Sequence, residues 1–392
     1  MAPAEGELMN LHPLSGHEAI RRALAASHHR EELPTALLLH GPPGVGKQRL
    51  ALWIGQLLLC EARGEAGPCD ACKSCRLQLR LEHPDFHWFL PLKRPSVTGG
   101  SERLDDALEE ARWERLEEIR ASPLHASVHE EPRGLYLGTV RNLRRRVQRR
   151  PSTGTRQVFL VAEAELLAAQ ESSAEAGNAL LKSLEEPPEG TSFILTSNEP
   201  ERLLPTIRSR SVQVHIAGLT GEEVEHFLTT VAEVEEETAK KAASLAQGSI
   251  GRAMGFVPGE SGQEAPLDDL RRKAFRLVRA AIAPRPGERF LRSLDFPPAG
   301  GRGLGETLSF VESWLRDLAV VALGDPDSVL NSDARAGLEE LVTRGRIRPE
   351  LIPESLHAVD RARMLAAGNV NPQLIVHGLL HDLARSLTVE AP

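Results

Sequence analysis

Residues 41–48 read GPPGVGKQ, directly after the apolar run Ala36–Leu39 and directly before the helical spacing of Leu50 to Leu59. Buried strand, glycine-rich turn and helix in that order are the context of the phosphate-binding loop G-x-x-x-x-G-K-[ST]. Gly41, Gly44 and Gly46 let backbone N–H groups, that of Val45 among them, converge on phosphate oxygens. The following helix points its positive end at the same oxygens, and Lys47 neutralises the outer phosphates. Only the last position departs. Gln48 carries an amide where a hydroxyl would ligate Mg²⁺.

The other half of a magnesium site is an acid at the end of a neighbouring strand. The candidate is VFLVAEAE, residues 158–165. If that strand ends at Val161, the ligand position falls on Ala162 and Glu163 takes the next place. Two losses then converge on one ion, so ATP or ADP is expected to bind without hydrolysis, or not at all. Substitution by Glu163 or Glu165 is the alternative.

Further strands are expected at Gln157–Ala162 and Ser192–Thr196, with a helix near Ala176–Leu184 stopped by Pro187 and Pro188. Strands alternating with helices imply a parallel sheet covered on both faces. Strand signals stop near residue 217, where Thr220 and Glu223 form a capping box. The expected architecture is an α/β P-loop domain over 1–216, a small helical lid over 217–256, and a linker with an all-α domain over 257–392. Such a division suits 392 residues. Residues 93–133 are charge-rich and read as a solvated helical insertion or a disordered loop.

Four cysteines, Cys60, Cys69, Cys72 and Cys75, are spaced C-x8-C-x2-C-x2-C. Four thiolates satisfy tetrahedral Zn²⁺ and leave no open position, so the expected metal is structural. His83 or His87 replacing a thiolate is the minor variant. A zinc-dependent enzyme is disfavoured by the closed sulfur set. The net charge of −8 excludes coating of nucleic acid by bulk charge. A local patch remains open: arginines 141, 144, 145, 146, 149 and 150 read either as a solvated helix or as contacts to a phosphate backbone or acidic partner. No apolar run nears the roughly 18 residues of a membrane helix, and the start of the chain lacks a signal-peptide pattern. A cytoplasmic location is expected.

Together these features resemble clamp-loader subunits of the AAA+ class. The most specific words are NALLKSLEEPP (178–188), the cysteine knuckle after the P-loop helix and EPERLLPTIRSRS (199–211). NVNPQL (369–374) adds the expected N-cap Asn371 and first-turn Pro372 of a last helix. Gln48 and Ala162 favour the delta-prime type, with a degenerate nucleotide site, over the ATP-hydrolysing gamma or tau motor type. The short stretch after NVNPQL is likewise read against a long tau tail. The resemblance implies a subunit of DNA polymerase III without ATPase or polymerase turnover of its own. It would join gamma/tau and delta subunits in a hetero-pentamer, through its C-terminal helices, to load the sliding clamp on primed DNA. It further implies that Arg210 acts in trans on a neighbour's ATP, Asn198 at the sensor position and Arg252 in the lid. Ser211 departs from the cysteine usual after that arginine. A stand-alone nucleotide-dependent regulator is the alternative from another class.

Overall fold

The computed structural model describes residues 11–62, 64–97, 100–124, 133–167, 173–259, 264–283, 285–298, 304–368 and 370–387. Parts of the charge-rich stretch, the linker and the glycine loop near residue 300, and Asn369 of NVNPQL, lie outside these residues. Contacts divide the chain into two units, one running to residue 254 and one from residue 255 onward.

The elements of the first unit run α1 (Glu18–His29), β1 (Ala36–His40), α2 (Lys47–Leu59), α3 (Lys73–Leu79), β2 (Phe86–Phe89), α4 (Ser101–Ala121), α5 (Leu137–Val147) and β3 (Gln157–Val161). They continue with α6 (Ser173–Glu185), β4 (Thr191–Ser197), α7 (Pro205–Ser209), β5 (Val212–His215), α8 (Gly221–Thr230), α9 (Glu236–Ala246) and α10 (Ile250–Gly255). The five strands form one parallel sheet in the order β2-β3-β4-β1-β5. Successive strand residues face opposite sides, and both sides are covered. Leu37, Leu39, Val158, Leu160 and Ile194 meet Leu50, Ile54 and Leu57 of α2 in one core. Leu38, Phe159, Val161, Phe193 and Leu195 meet Leu143 of α5 and Leu180 and Leu184 of α6 in the other. Because every strand is parallel, the loops after β1, β3 and β4 emerge at one edge, where such sheets bind ligands.

The three expected strands are present, and the capping box is formed in both directions between Thr220 and Glu223. β2 and β5 are additional. The described part of the charge-rich stretch includes a helix, one of its two expected readings, though not a wholly solvated one. Within it, α4 buries Asp105, Leu108, Arg112 and Leu116 against the sheet side. Three of the arginines that were open between solvent and a phosphate or acidic partner turn to this helix instead: Arg141 and Arg145 pair with Asp105, and Arg146 with Glu109. Arg144, Arg149 and Arg150 stay exposed.

The second unit is helical: α11 (Pro266–Ile282), α12 (Pro286–Ser293), α13 (Leu304–Ala322), α14 (Arg335–Gly345), α15 (Ile352–Ala367) and α16 (Pro372–Leu387). Its core gathers Leu277, Val278, Trp314, Leu315, Leu318, Val359, Val376 and Leu380. Trp314 Nε1 donates to the Arg271 carbonyl, and buried Arg271 is held by Asp268 and Asp333. Asn371 caps α16 as expected, its Oδ1 accepting from the Gln373 N–H at 2.8 Å. Among the described residues no helix is long and apolar enough to cross a membrane.

Candidate nucleotide site and metal centre

The loop between β1 and α2 has a conformation that requires its glycines. Gly44 and Gly46 sit at φ 74° and 95°, the left-handed region in which a Cβ is strained. A Cβ on Gly44 would also come within 2.1 Å of Ser249 Oγ. The positive-φ glycines shape the turn of a phosphate-binding loop, and Lys47 follows at the start of α2, so the residues fit a nucleotide's phosphates. Helix α10 touches the loop directly: Gly251 N–H donates to the Gly44 carbonyl at 3.2 Å. Arg252 follows on that helix, its N–H bonded to Ser249 Oγ at 3.1 Å.

Lys47 opens α2 yet is 5% exposed. Its ammonium donates to the carbonyls of Gly41 at 2.9 Å and Pro42 at 2.5 Å. Burial lowers its pKa to about 8, against the pull of Glu165 and Glu163. An unfolded lysine titrates near 10.5. Below pH 8 both states carry the proton, and the native state bears the full cost of burying the charge. Between pH 8 and 10.5 the native lysine loses its proton first and the cost is relieved. The gap corresponds to about 3 kcal/mol, part of it returned by the two hydrogen bonds. Lys47→Met is therefore expected to raise stability at pH 7 by about 1–3 kcal/mol, with the gain shrinking toward pH 10.5. Denaturant midpoints at pH 7 and pH 10 measure this. An equal effect at both would contradict it.

At the magnesium side, β3 ends at Val161 and the next position is the fully buried Ala162. Glu163 follows in a left-handed turn (φ 49°), its N–H bonded to Thr196 Oγ1 at 3.0 Å. Gln48 Nε2 donates to Glu163 Oε1 at 3.3 Å. The amide that replaces the usual hydroxyl thus gives one of its N–H groups to an acid. Burial and then Glu165 push the Glu163 carboxyl above its ordinary range, while Lys47 pulls it down. Glu165 is 4% exposed; one oxygen accepts from the Asn198 N–H at 2.9 Å and the other has no partner among the described residues. Gly41, Gly44, Val45, Gly46, Lys47, Gln48, Glu163, Asn198 and Arg252 therefore gather around one loop. Sequence reasoning missed His17 and Ser249. His17 Nε2 lies 2.8 Å from the Val45 carbonyl, and no pattern in SGHEAI announces that contact.

The four cysteines converge as their spacing predicts. Their sulfurs lie within 4.8 Å of one another. A tetrahedral ion with Zn–S near about 2.3 Å wants them about 3.8 Å apart, so a small contraction would close the set. α2 ends at Cys60, and Cys72 caps α3 by accepting from the Cys75 N–H. Backbone N–H groups of Cys69, Cys72 and Cys75 point at the sulfurs of Cys60, Cys69 and Cys72 at 3.3–3.4 Å. Such donors favour thiolate: those of Ala71 and Cys72 bring Cys69 down to about 6, whereas burial raises Cys60 and Cys75. Neighbouring bonds fix the knuckle, Gln56 to Asp70 at 2.8 Å and Ser74 to Glu61 at 2.8 Å. The donor set fits a structural Zn²⁺, and neither His83 nor His87 belongs to it.

Arg210 lies elsewhere. It follows α7 and precedes β5, exposed, with its guanidinium bonded to the Thr206 carbonyl at 3.2 Å and Glu185 at 2.7 Å. Ser211 Oγ bonds back to the Ile207 carbonyl at 2.9 Å, which ties down the end of α7 without a cysteine. Val212 pairs with Leu37, while the phosphate loop starts four residues after Leu37. Arg210 thus stands at the opposite edge of the sheet from its own loop, on the order of 20 Å along the strands. That exceeds the reach of an arginine side chain.

The family profile described as "DNA polymerase III, delta subunit" matches residues 16–220. The DNA polymerase III subunit delta' of Pseudomonas aeruginosa is 36% identical over 178 residues, covering 45% of this chain and 42% of that one. The delta' subunit of Escherichia coli is 27% identical over 240 residues, 61% and 59% of the two chains. The tau subunit of Escherichia coli is 28% identical over 328 residues, 79% and 43%. The chain spans about half the length of the curated relatives it matches.

Proposed function

Because this chain belongs to the DNA polymerase III delta-subunit family, we propose that it serves as a delta-prime-like subunit of a bacterial clamp loader. It joins gamma/tau and delta subunits in the cytoplasm, and the assembled machine places the sliding clamp on primed DNA. Its phosphate loop holds ATP or ADP without turnover, a structural Zn²⁺ sits on Cys60, Cys69, Cys72 and Cys75, and Arg210 acts on the ATP of a neighbouring subunit.

The observation that carries the non-hydrolysing role is the Gln48–Glu163 hydrogen bond beside Ala162. Both protein groups that normally address the metal are replaced at once, while the cradle and Lys47 are kept. Chemically, the bound nucleotide would supply a phosphate chain that orders the loop. Lys47 would neutralise it, and α10 with Arg252 would close over it. In trans, a guanidinium presented at the outer edge of α7 stabilises charge on a transferring phosphoryl group. An ATP-hydrolysing motor subunit is the competing reading, supported by the similarity to tau chains. Mixing the purified chain with gamma/tau and delta subunits tests the assignment. A stable complex containing all three is expected, and failure to co-elute under any nucleotide condition would contradict it.

A further inference from the structure

The phosphate loop is held at two successive carbonyls. The Gly251 N–H of α10 reaches the Gly44 carbonyl at 3.2 Å, and His17 Nε2 reaches the Val45 carbonyl at 2.8 Å. A carbonyl only accepts, so the imidazole is the donor. The histidine is firmly mounted for this contact. It directly precedes α1, whose Leu24 and Ala25 pack in the core that holds Leu50 and Ile54 of α2. It stands at the N-cap position, yet its side chain makes no cap bond to α1. Its backbone is left-handed (φ 55°), directly after left-handed Gly16 (φ 69°). A residue with a side chain pays for that conformation, and such strain concentrates at functional sites. The turn has little room to relax, because a Cβ on Gly16 would come within 2.3 Å of Leu219 Cδ2.

The peptides of the loop are trans, and in a trans peptide the C=O of one residue and the N–H of the next point in opposite directions. Tying down the Gly44 carbonyl therefore fixes the Val45 N–H, and tying down the Val45 carbonyl fixes the Gly46 N–H. Neither N–H has an acceptor among the described residues. The second peptide is the one that needs a restraint. Gly46 tolerates either sign of φ, so without an anchor the Val45–Gly46 peptide is free to turn over and present an acceptor in place of a donor. We propose that His17 is a positioning residue for a polyphosphate chain, holding this peptide with its N–H set for a phosphate oxygen before the ligand arrives. The proposal rests on the reading of the loop as a nucleotide site. Restraint ahead of binding raises affinity, because the cost of ordering the loop is already met.

Titration of the full chain with N-methylanthraniloyl-ATP, and its competition by inorganic tripolyphosphate, tests this. Wild type is expected to bind saturably and Lys47→Ala not to bind. His17→Phe keeps a ring without a donor and should weaken both ligands about tenfold, close to the worth of one hydrogen bond. Tripolyphosphate has no base, so an equal factor for it assigns the effect to the phosphates. His17→Gln, whose amide keeps an N–H, should restore most of the affinity, which a merely steric role would not allow. All variants are compared at a temperature where their denaturation curves show them folded. Wild-type affinity in His17→Phe, equal losses in His17→Phe and His17→Gln, or a loss for the ATP analogue alone would overturn the role of His17 and leave the nucleotide site standing. No saturable binding by wild type, or equal binding by Lys47→Ala, would overturn that site and this proposal with it.

Discussion

Arg210→Ala is expected to slow ATP turnover at the neighbouring site of the assembled loader by about 10³–10⁵-fold, the usual worth of an arginine supplied across an interface. Assembly should be unaffected, because the side chain is exposed and packs into no core. Its partner Glu185 is 42% exposed, and an exposed ion pair of that kind contributes little. The guanidinium is thus held by two weak contacts, which on the proposed role would be released at small cost. Arg210→Lys should recover only part of the rate, since an ammonium keeps the charge but loses the planar fork. Single-site turnover in mixed complexes measures both. A normal rate in the alanine variant would remove Arg210 from the chemistry.

The second large effect concerns the metal. Freshly purified protein is expected to carry one zinc per chain. Cys75→Ser or chelation should cost the first unit about 3–5 kcal/mol and lower its melting temperature by about 10 °C or more. The sulfur of Cys75 is fully buried, so a serine hydroxyl there would neither ligate well nor find an easy partner. The loss should stay below the about 10–16 kcal/mol seen for isolated zinc fingers, because the Gln56–Asp70 and Ser74–Glu61 bonds hold the knuckle independently. Metal analysis finding no zinc, or an unchanged melting curve after chelation, would contradict this.

What could be read from the residues, and what could not, follows their range of interaction. The phosphate loop, the Thr220–Glu223 box, the Asn371 cap and the cysteine knuckle are each made within a short stretch of chain, so their chemistry is written locally. β2 is only FHWF, and β5 is VQVH with Val212 half exposed. Neither offers an apolar run that announces a buried strand. α4 was obscure for another reason. Its inward face carries Asp105 and Arg112, which look like surface residues until Arg141 and Arg145 arrive from α5 to neutralise Asp105. The bond between Gln48 and Glu163 joins residues far apart in sequence. From sequence, Gln48 and Ala162 read as two losses converging on one ion and Glu163 as an alternative ligand; that Gln48 donates to Glu163 is visible only in the fold.

The central claim is that this nucleotide-shaped site keeps its phosphate cradle and does not turn over. ATP hydrolysis by the purified chain alone, with Mg²⁺ and primed DNA, tests it most directly. The rate should stay at background and be the same in Lys47→Ala. Mg²⁺-dependent hydrolysis above background that disappears in Lys47→Ala would show that Gln48 and Glu163 still support a working metal site.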